Sequence, residues 1–314
     1  MRNFAIRAIQ KNDRWIAKTA GSQSPIEKLH TLHNSLLTIH YICRVKNKKS
    51  FYRWLKIIVV VYCVIGIAFY YLQEKLLFHP KQLAENSNWQ FIQSFRESNI
   101  RVDSETKYNI VQFTVADSLK KGVVLYFHGN RENVNHYAAF AENFTRNHYE
   151  VWMPDYPGFG KSTGELSEKG MYDEALQVYK LARIKYSPQQ IIIYGRSLGT
   201  GIAAHLAAER DCKKLLLETP YYSFTSMVTS LFWMYPVNRL LKYKLPTYQY
   251  LRQVTAPISI FHGTDDRVIA HRNASRLKEI LKPTDEFITI PGGSHNDLNT
   301  FPLMQQKLDS LLHN

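Results

Sequence analysis

A β-branched run, Ile191-Ile-Ile-Tyr194, passes directly into Gly195-Arg-Ser197-Leu-Gly199 and then into a stretch containing Ala203, Ala204 and Ala207. Strand, sharp turn and helix in that order constrain this chain more than any other segment. A serine on such a turn takes up a strained backbone conformation that lifts its Oγ clear of the sheet, and flanking glycines leave room for the close turn. Gly199 and Gly201, with the alanines, also let the helix lie close against the strands. The bland alternative is an ordinary glycine-rich β-to-α turn, and the rest of the chain has to decide between them.

Strand-like runs occur at residues 110–115, 122–127, 149–153, 190–194, 214–218, 257–261 and 286–290. Helical patterns lie between most of them, at 134–147, 168–186, 197–210 and 270–281, with a last one at 302–312. Such alternation predicts an α/β fold, a mostly parallel sheet with helices on both faces and sites at the carboxyl ends of the strands. No repeat or low-complexity linker intervenes, so residues 100–314 read as one domain, joined to what precedes it by a polar connection over 73–99. One segment breaks the pattern. Residues 221–250 are rich in Tyr, Phe, Trp and Met, centred on Phe232-Trp-Met-Tyr-Pro236, and lie between two strands. They are expected to form a short helical cap, serving as an apolar lid for acyl chains, as a membrane-facing surface, or simply as packing on the domain.

The net charge of +14 suggests nucleic acid until it is located. Residues 1–56 hold 12 Lys/Arg against 2 Asp/Glu, which accounts for +10 of it. The body is nearly balanced, so no nucleic-acid partner is expected. Just after this basic segment, residues 57–72 (IIVVVYCVIGIAFYYL) are uninterrupted apolar residues, extended to 18 by Leu55 and a Lys56 able to snorkel. Eighteen residues at about 1.5 Å each reach roughly 27 Å, enough for a thin hydrocarbon core. A signal peptide would need a small-residue cleavage site, whereas this run ends in Phe69-Tyr-Tyr71, which suits an interfacial belt. A buried core helix would leave Lys46, Lys48, Lys49, Arg53 and Lys56 on one flank unexplained. Residues 55–72 therefore read as a transmembrane anchor. Only Lys75 and Lys81 follow it, so the positive-inside rule predicts a cytoplasmic N-terminus and an extracytoplasmic body.

Within the basic segment, 1–54, Ser24-Pro25-Ile26-Glu27 reads as a capping box, followed by apolar residues at near-helical spacing to Ile42. An amphipathic helix over about 25–43 and a weakly structured tail are both compatible with this. The first 20 residues are Arg-rich and acid-poor, as in a targeting peptide or a segment read from an upstream start. The three cysteines, Cys43, Cys63 and Cys212, are scattered, and only Cys212 lies in the body, so no disulfide within it is expected.

A serine hydroxyl needs a base to take its proton, and the base needs a carboxylate to hold its tautomer. Phe261-His-Gly-Thr-Asp265-Asp266-Arg-Val268 places two aspartates after a strand, and Pro291-Gly-Gly-Ser-His295-Asn-Asp297 places a histidine after the next. The order serine, aspartate, histidine is that of the α/β-hydrolase fold. Spacing leaves Asp265 and Asp266 both open as the acid. The oxyanion donors are expected to be the N–H of Leu198, after the nucleophile, and that of Asn130 in the loop Tyr126-Phe-His128-Gly129-Asn130. His128 precedes the elbow and reads as a structural loop residue. Asp155, in Asp155-Tyr-Pro-Gly-Phe-Gly-Lys-Ser162, reads as fixing loop geometry.

These motifs, with Leu76-Leu-Phe-His-Pro80 after the anchor, resemble the α/β-hydrolase superfamily over about residues 70–314. Within it the chain is similar to single-pass membrane-anchored serine hydrolases, including the depalmitoylase-like α/β-hydrolase-domain-containing proteins and their bacterial relatives. The resemblance implies Asp266 as the acid, four residues after the histidine of His262-Gly263. It leads to the expectation of a membrane-anchored serine hydrolase cleaving ester or thioester bonds with Ser197, His295 and Asp266. A lipid, an acylated protein or a small ester would each serve as substrate. No metal or organic cofactor is expected, because the 12 histidines are scattered and neither HExxH nor paired-cysteine spacing occurs. A peptidase of the same fold, with Glu218 as the carboxylate for a substrate amine, is one alternative. A non-catalytic tethered binding module is another.

Overall fold

The computed structural model describes residues 24–313, and the Arg-rich first 20 residues lie outside them. The chain forms two compact units, one ending at Ile67 and the other beginning at Ala68. Helix α1 (Pro25–Leu77) is continuous. The basic stretch before the apolar run does not interrupt it, since Lys and Arg are good helix formers and neither Gly nor Pro occurs between Pro25 and Gly66. Its part Lys48–Leu77 has a mean hydropathy of 2.3 and is long and apolar enough to cross a membrane.

The second unit is built on an eight-stranded sheet: β1 (Phe95–Arg101), β2 (Lys107–Phe113), β3 (Gly122–Phe127), β4 (Tyr149–Asp155), β5 (Ile191–Arg196), β6 (Lys214–Glu218), β7 (Ile258–Gly263) and β8 (Glu286–Ile290). The spatial order is β8-β7-β6-β5-β3-β4-β2-β1. β1–β2 and β2–β4 are antiparallel, and the remaining pairs are parallel. Strand β1 has no counterpart in the sequence reading. Its sequence, FRESNIR, is polar because an edge strand of this kind buries little on either face. The helix expected over 134–147 is divided into Val134–Tyr137, a 3-10 turn Ala138–Ala141 and Glu142–Thr145.

Strand β5 shows how the sequence builds the two layers. Ile191 and Ile193 point to one face, where they join Met171 and Val178 of α2 (Glu168–Arg183) and Ile202 of α3 (Gly199–Glu209). Ile192 and Tyr194 point to the other, with Phe144 and with Leu308 and Leu312 of the C-terminal helix Pro302–His313. All are essentially water-free, and each buried isoleucine contributes roughly 1.5–3 kcal/mol. Parallel strands covered on both faces read as unbroken apolar runs for this reason. The register sets Phe127 beside Gly195, Arg196 beside Glu218, Glu218 beside Phe261, and Gly263 beside Ile290. The carboxyl ends of five strands therefore form one rim.

Candidate active site

Ser197 stands where β5 ends and α3 begins, with φ of 51°, in the left-handed region that side chains rarely adopt. Its neighbours show why the flanking positions are glycine. A Cβ on Gly195 would lie 2.5 Å from the Gly199 carbonyl oxygen, and one on Gly199 would lie 2.0 Å from that of Phe127. The turn is held by its own backbone: Ser197 N–H donates to the Glu218 carbonyl (2.9 Å), while Thr200 N–H donates to the Ser197 carbonyl (3.0 Å).

Three of the residues singled out in the sequence meet at this point. His295 Nε2 lies 2.9 Å from Ser197 Oγ, and His295 Nδ1 lies 2.8 Å from Asp266 Oδ2. With Nδ1–H donating to the carboxylate, Nε2 is left to accept from the serine hydroxyl. Asp266 Oδ1 is fixed in turn by the N–H groups of Val268 (2.9 Å) and Ile269 (2.8 Å). Burial pushes the Asp266 carboxyl up, but the His295 hydrogen bond, that ring's charge and the Ile269 N–H overcome it and hold the group below the ordinary carboxylate value. Asp265 is exposed instead, its carboxylate accepting from Thr264 Oγ1 (2.8 Å). The histidine loop is pinned to the aspartate loop, with Asp265 N–H donating to the Gly293 carbonyl (2.9 Å) and Gly292 N–H to Thr264 Oγ1 (2.8 Å).

The two amides expected as oxyanion donors also lie on this rim. The peptide plane that carries the Leu198 N–H is held through the Ser197 carbonyl, which accepts from Thr200 N–H (3.0 Å) and from Thr200 Oγ1 (2.6 Å). The loop of Asn130 is anchored on its other side: its side-chain amide donates to the Leu77 carbonyl, and its own carbonyl accepts from His79 N–H (3.3 Å). Among the described residues neither the Leu198 nor the Asn130 N–H donates to a protein acceptor. His128 is fully buried, with Nδ1 donating to the Gly129 carbonyl (2.7 Å). Asp155 Oδ1 accepts from Val134 N–H (2.8 Å).

A buried ionic group beside the elbow escaped the sequence reading. Arg196, the residue before the serine, places Nε 3.5 Å from Glu218 Oε1 and its guanidinium 4.0 Å over the Phe140 ring. Its Nη2 donates to the Asn296 carbonyl (3.3 Å), next to His295. Glu218 is completely buried and also accepts from Tyr194 OH and from Asn299 Nδ2 (3.1 Å). Burial pulls the Arg196 pKa down, but the Glu218 carboxylate more than restores it, so the guanidinium stays charged. The group ties the ends of β5 and β6 to the histidine loop. The Arg-to-Asn296 link spans 100 residues, and the Gly-x-Ser-x-Gly pattern leaves x free, so nothing local marked it. Thr219, next to Glu218, has φ of 51°, a second left-handed residue on the rim and a β-branched one.

A family model described as "Serine aminopeptidase, S33" matches residues 118–251. Among curated proteins, the alpha/beta hydrolase domain-containing protein 17C of Xenopus tropicalis is 28% identical over 194 residues, which is 60% of this chain and 61% of that protein. The match thus spans about six-tenths of that relative's own length. The protein of the same name from Mus musculus is 26% identical over 241 residues, covering 73% of this chain and 72% of the relative. Among solved structures, the Pyrococcus furiosus esterase Pf2001 superposes with a TM-score of 0.59 at 17% identity, covering 76% of this chain and 97% of the esterase. Est1E of Butyrivibrio proteoclasticus, solved with ferulic acid bound, gives 0.56 at 18% identity, over 69% of this chain and 98% of its own.

Proposed function

We propose that this chain, which has the α/β-hydrolase fold, is a membrane-anchored serine hydrolase cleaving carboxylic ester or thioester bonds through an acyl-enzyme. The observation that carries this reading is the hydrogen-bonded series Ser197 Oγ, His295 ring, Asp266 carboxylate, at 2.9 and 2.8 Å. Ser197 Oγ attacks the acyl carbonyl carbon while its proton passes to His295 Nε2. Asp266 keeps the Nδ1 proton in place and stabilises the imidazolium that forms. The carbonyl oxygen, now an oxyanion, is held by the N–H groups of Leu198 and Asn130. Collapse breaks the carbonyl bond to the leaving oxygen or sulfur, which takes the proton from Nε2. Water then repeats the sequence on the acyl-serine and releases the acid.

The test is turnover of p-nitrophenyl acetate by the full chain and by Ser197→Ala. Loss on the order of 10⁶ in kcat is expected, as for removal of a triad serine elsewhere. Near-normal turnover by the variant would overturn the reading. A parent chain that neither turns over esters nor labels with a fluorophosphonate would favour a non-catalytic binding module instead.

The description of the matching family model favours a second reading, an aminopeptidase. Such an enzyme needs a carboxylate for the substrate amine, and Glu218, the one suggested by the sequence, is already engaged by Arg196, Tyr194 and Asn299. Aminoacyl-amide turnover outpacing ester turnover would reverse the preference. Anchoring is supported by Lys48–Leu77, and a cytoplasmic N-terminus by the five cations of residues 46–56 against two after the apolar run. Protease protection in sealed vesicles tests it, and a body on the cytoplasmic face would overturn the orientation.

A further inference from the structure

The aromatic segment between β6 and β7 contains α4 (Phe224–Leu231) and the short helices Val237–Leu240 and Thr247–Leu251. After β7 the chain passes through the loop of Asp266 and forms a helical turn, His271–Ala274, continued by a 3-10 stretch, Ser275–Ile280. A cleft of about 240 Å³ lies between α4 and this second segment. Met227, Val268 and Ile269 give it apolar walls, and Arg272 and Arg276 border it. Neither Ser197 nor His295 lines it, so the cleft is separate from the candidate triad.

The polar groups around the cleft are of two kinds. Asn273 is engaged by the protein itself: its Oδ1 accepts from Tyr222 N–H (2.8 Å), and its Nδ2 donates to Ser226 Oγ (3.0 Å). Ser230 Oγ donates to the Met227 carbonyl (2.6 Å). The two guanidiniums are not engaged in this way. Arg96, Arg146 and Arg196 each pair with a carboxylate, whereas among the described residues Arg272 and Arg276 have no carboxylate within ion-pair distance. No Asp or Glu lines the cleft, and Glu279, the nearest acid in sequence, pairs with neither arginine.

Arg276 is also held in place. Its guanidinium lies 3.7 Å over the Tyr222 ring, whose other face stacks on Tyr248 at 4.4 Å and 4°. Tyr248 N–H donates to the Tyr222 carbonyl (3.0 Å), and Arg252 closes the pile 5.8 Å over the Tyr248 ring. A guanidinium laid flat on an aromatic ring keeps its N–H edges free, and those edges form the fork that grips phosphate oxygens in pairs. Fixing the fork beforehand removes part of the ordering cost of binding. Two like charges beside one small cleft repel each other, and an oxyanion placed between them turns that repulsion into attraction. A carboxylate would cancel one of the two charges. A phosphate monoester carries about −1.5 to −2 at neutral pH and cancels nearly both.

We propose that the cleft bounded by Arg272 and Arg276 binds a phosphate monoester, with the apolar body of the ligand laid against Met227, Val268 and Ile269. The site stands independently of the hydrolase reading, since no triad residue lines it.

Phenyl phosphate is the probe, its ring serving as the apolar body. Calorimetric titration of the full chain in nonionic detergent is expected to show saturable binding. Methyl phenyl phosphate, a diester with a single charge, should bind about tenfold more weakly. Replacing both arginines, in Arg272→Gln/Arg276→Gln, should weaken phenyl phosphate by about tenfold or more, with the unfolding temperature in the absence of ligand unchanged. Arg276→Lys keeps the charge but loses the fork, so its affinity should fall between those of the parent and the double variant. Ser197→Ala should bind as the parent does. A parent that does not bind, or binding that survives the loss of both arginines, overturns the site, and equal affinity for the two esters overturns the match to a dianion. If the double variant unfolds, Arg276→Lys decides, and parent-like affinity in it overturns the role of the fork. Repeating the titration in phosphatidylcholine nanodiscs with and without phosphatidic acid identifies the source of the phosphate. Competition by phosphatidic acid assigns the site to a lipid headgroup, and unaltered affinity assigns it to a soluble monoester.

Discussion

The molecule contains the same local device twice, and only one copy takes part in the candidate triad. At the end of β3 stands Phe127-His128-Gly129, and at the end of β7 stands Phe261-His262-Gly263. Each histidine is fully buried and directs Nδ1 to the carbonyl of the glycine that follows, at 2.7 Å and 2.9 Å. Each places Nε2 3.6 Å from a buried aspartate, Asp155 in one case and Asp266 in the other. Burial holds His262 below the ordinary histidine value against the pull of the Gly263 carbonyl and Asp266, so it stays neutral and cannot serve as the counter-ion. The two aspartates differ in their third neighbour. Asp266 faces a second imidazole, His295, whereas the Asp155 charge is felt by the buried carboxyl of Glu174 on α2. A His-Gly loop with a nearby aspartate is thus a way of closing a strand end, and what makes one of them chemically useful is the imidazole brought from the next strand.

The sharpest way to break this comparison is to neutralise both aspartates. Asp266→Asn is expected to lower kcat for p-nitrophenyl acetate by about 10⁴, because the amide no longer holds the productive tautomer or stabilises the imidazolium. Asp155→Asn keeps an oxygen for Val134 N–H and should leave turnover within a few-fold of the parent. Similar losses in the two variants would mean that the aspartates act alike and that the His295 contact is incidental.

A smaller effect is expected at the Arg196–Glu218 pair. Arg196→Lys keeps the charge against Glu218 but cannot reproduce the fork that also reaches the Asn296 carbonyl. Loosening that carbonyl lets the histidine loop wander, so kcat should fall roughly tenfold while KM changes little, since a group realised in the transition state has been displaced. A KM rise with kcat unchanged would assign the pair to substrate binding instead.

What the sequence made legible follows from range. The elbow is a contiguous nonapeptide whose strand, turn and helix are all specified locally, and the two later motifs fall at strand ends because parallel strands announce themselves as apolar runs. Which aspartate faces His295 was not legible from spacing. It depends on how Gly263 packs on Gly293, where a Cβ would meet that residue's carbonyl oxygen at 2.0 Å, and on the N–H groups of Val268 and Ile269 that capture Asp266. Strand β1 was hidden because its polar sequence carries no burial signal, only pairing with β2. The level of the cap against α1 was equally hidden, since Phe69 and Phe232 are distant in the chain and only packing brings their rings to 5.0 Å.

The least effect, and the one that separates the two aspartate sites by sign, is on stability against pH. Asp266 is depressed when folded, so it contributes stability that is present above the unfolded carboxylate value of about 4 and is lost as pH falls through the lower folded value. Glu174 behaves oppositely. Burial, reinforced by the Asp155 charge, pushes its carboxyl well above the usual range, and among the described residues neither of its oxygens has a hydrogen-bond partner. The unfolded chain releases this proton at about 4 while the folded chain keeps it, so the associated stability is complete below that value and declines as pH rises toward the folded one. Glu174→Leu removes both the titration and the desolvated polar group. Chemical unfolding of the full chain from about pH 5 to pH 8 should show the parent losing stability across the range. The variant should be flatter and more stable at pH 8 by about 1–3 kcal/mol. A parent profile already as flat as the variant's would mean that Glu174 ionises in the folded chain, and the contrast between the imidazole beside Asp266 and a protonated carboxyl near Asp155 would be lost.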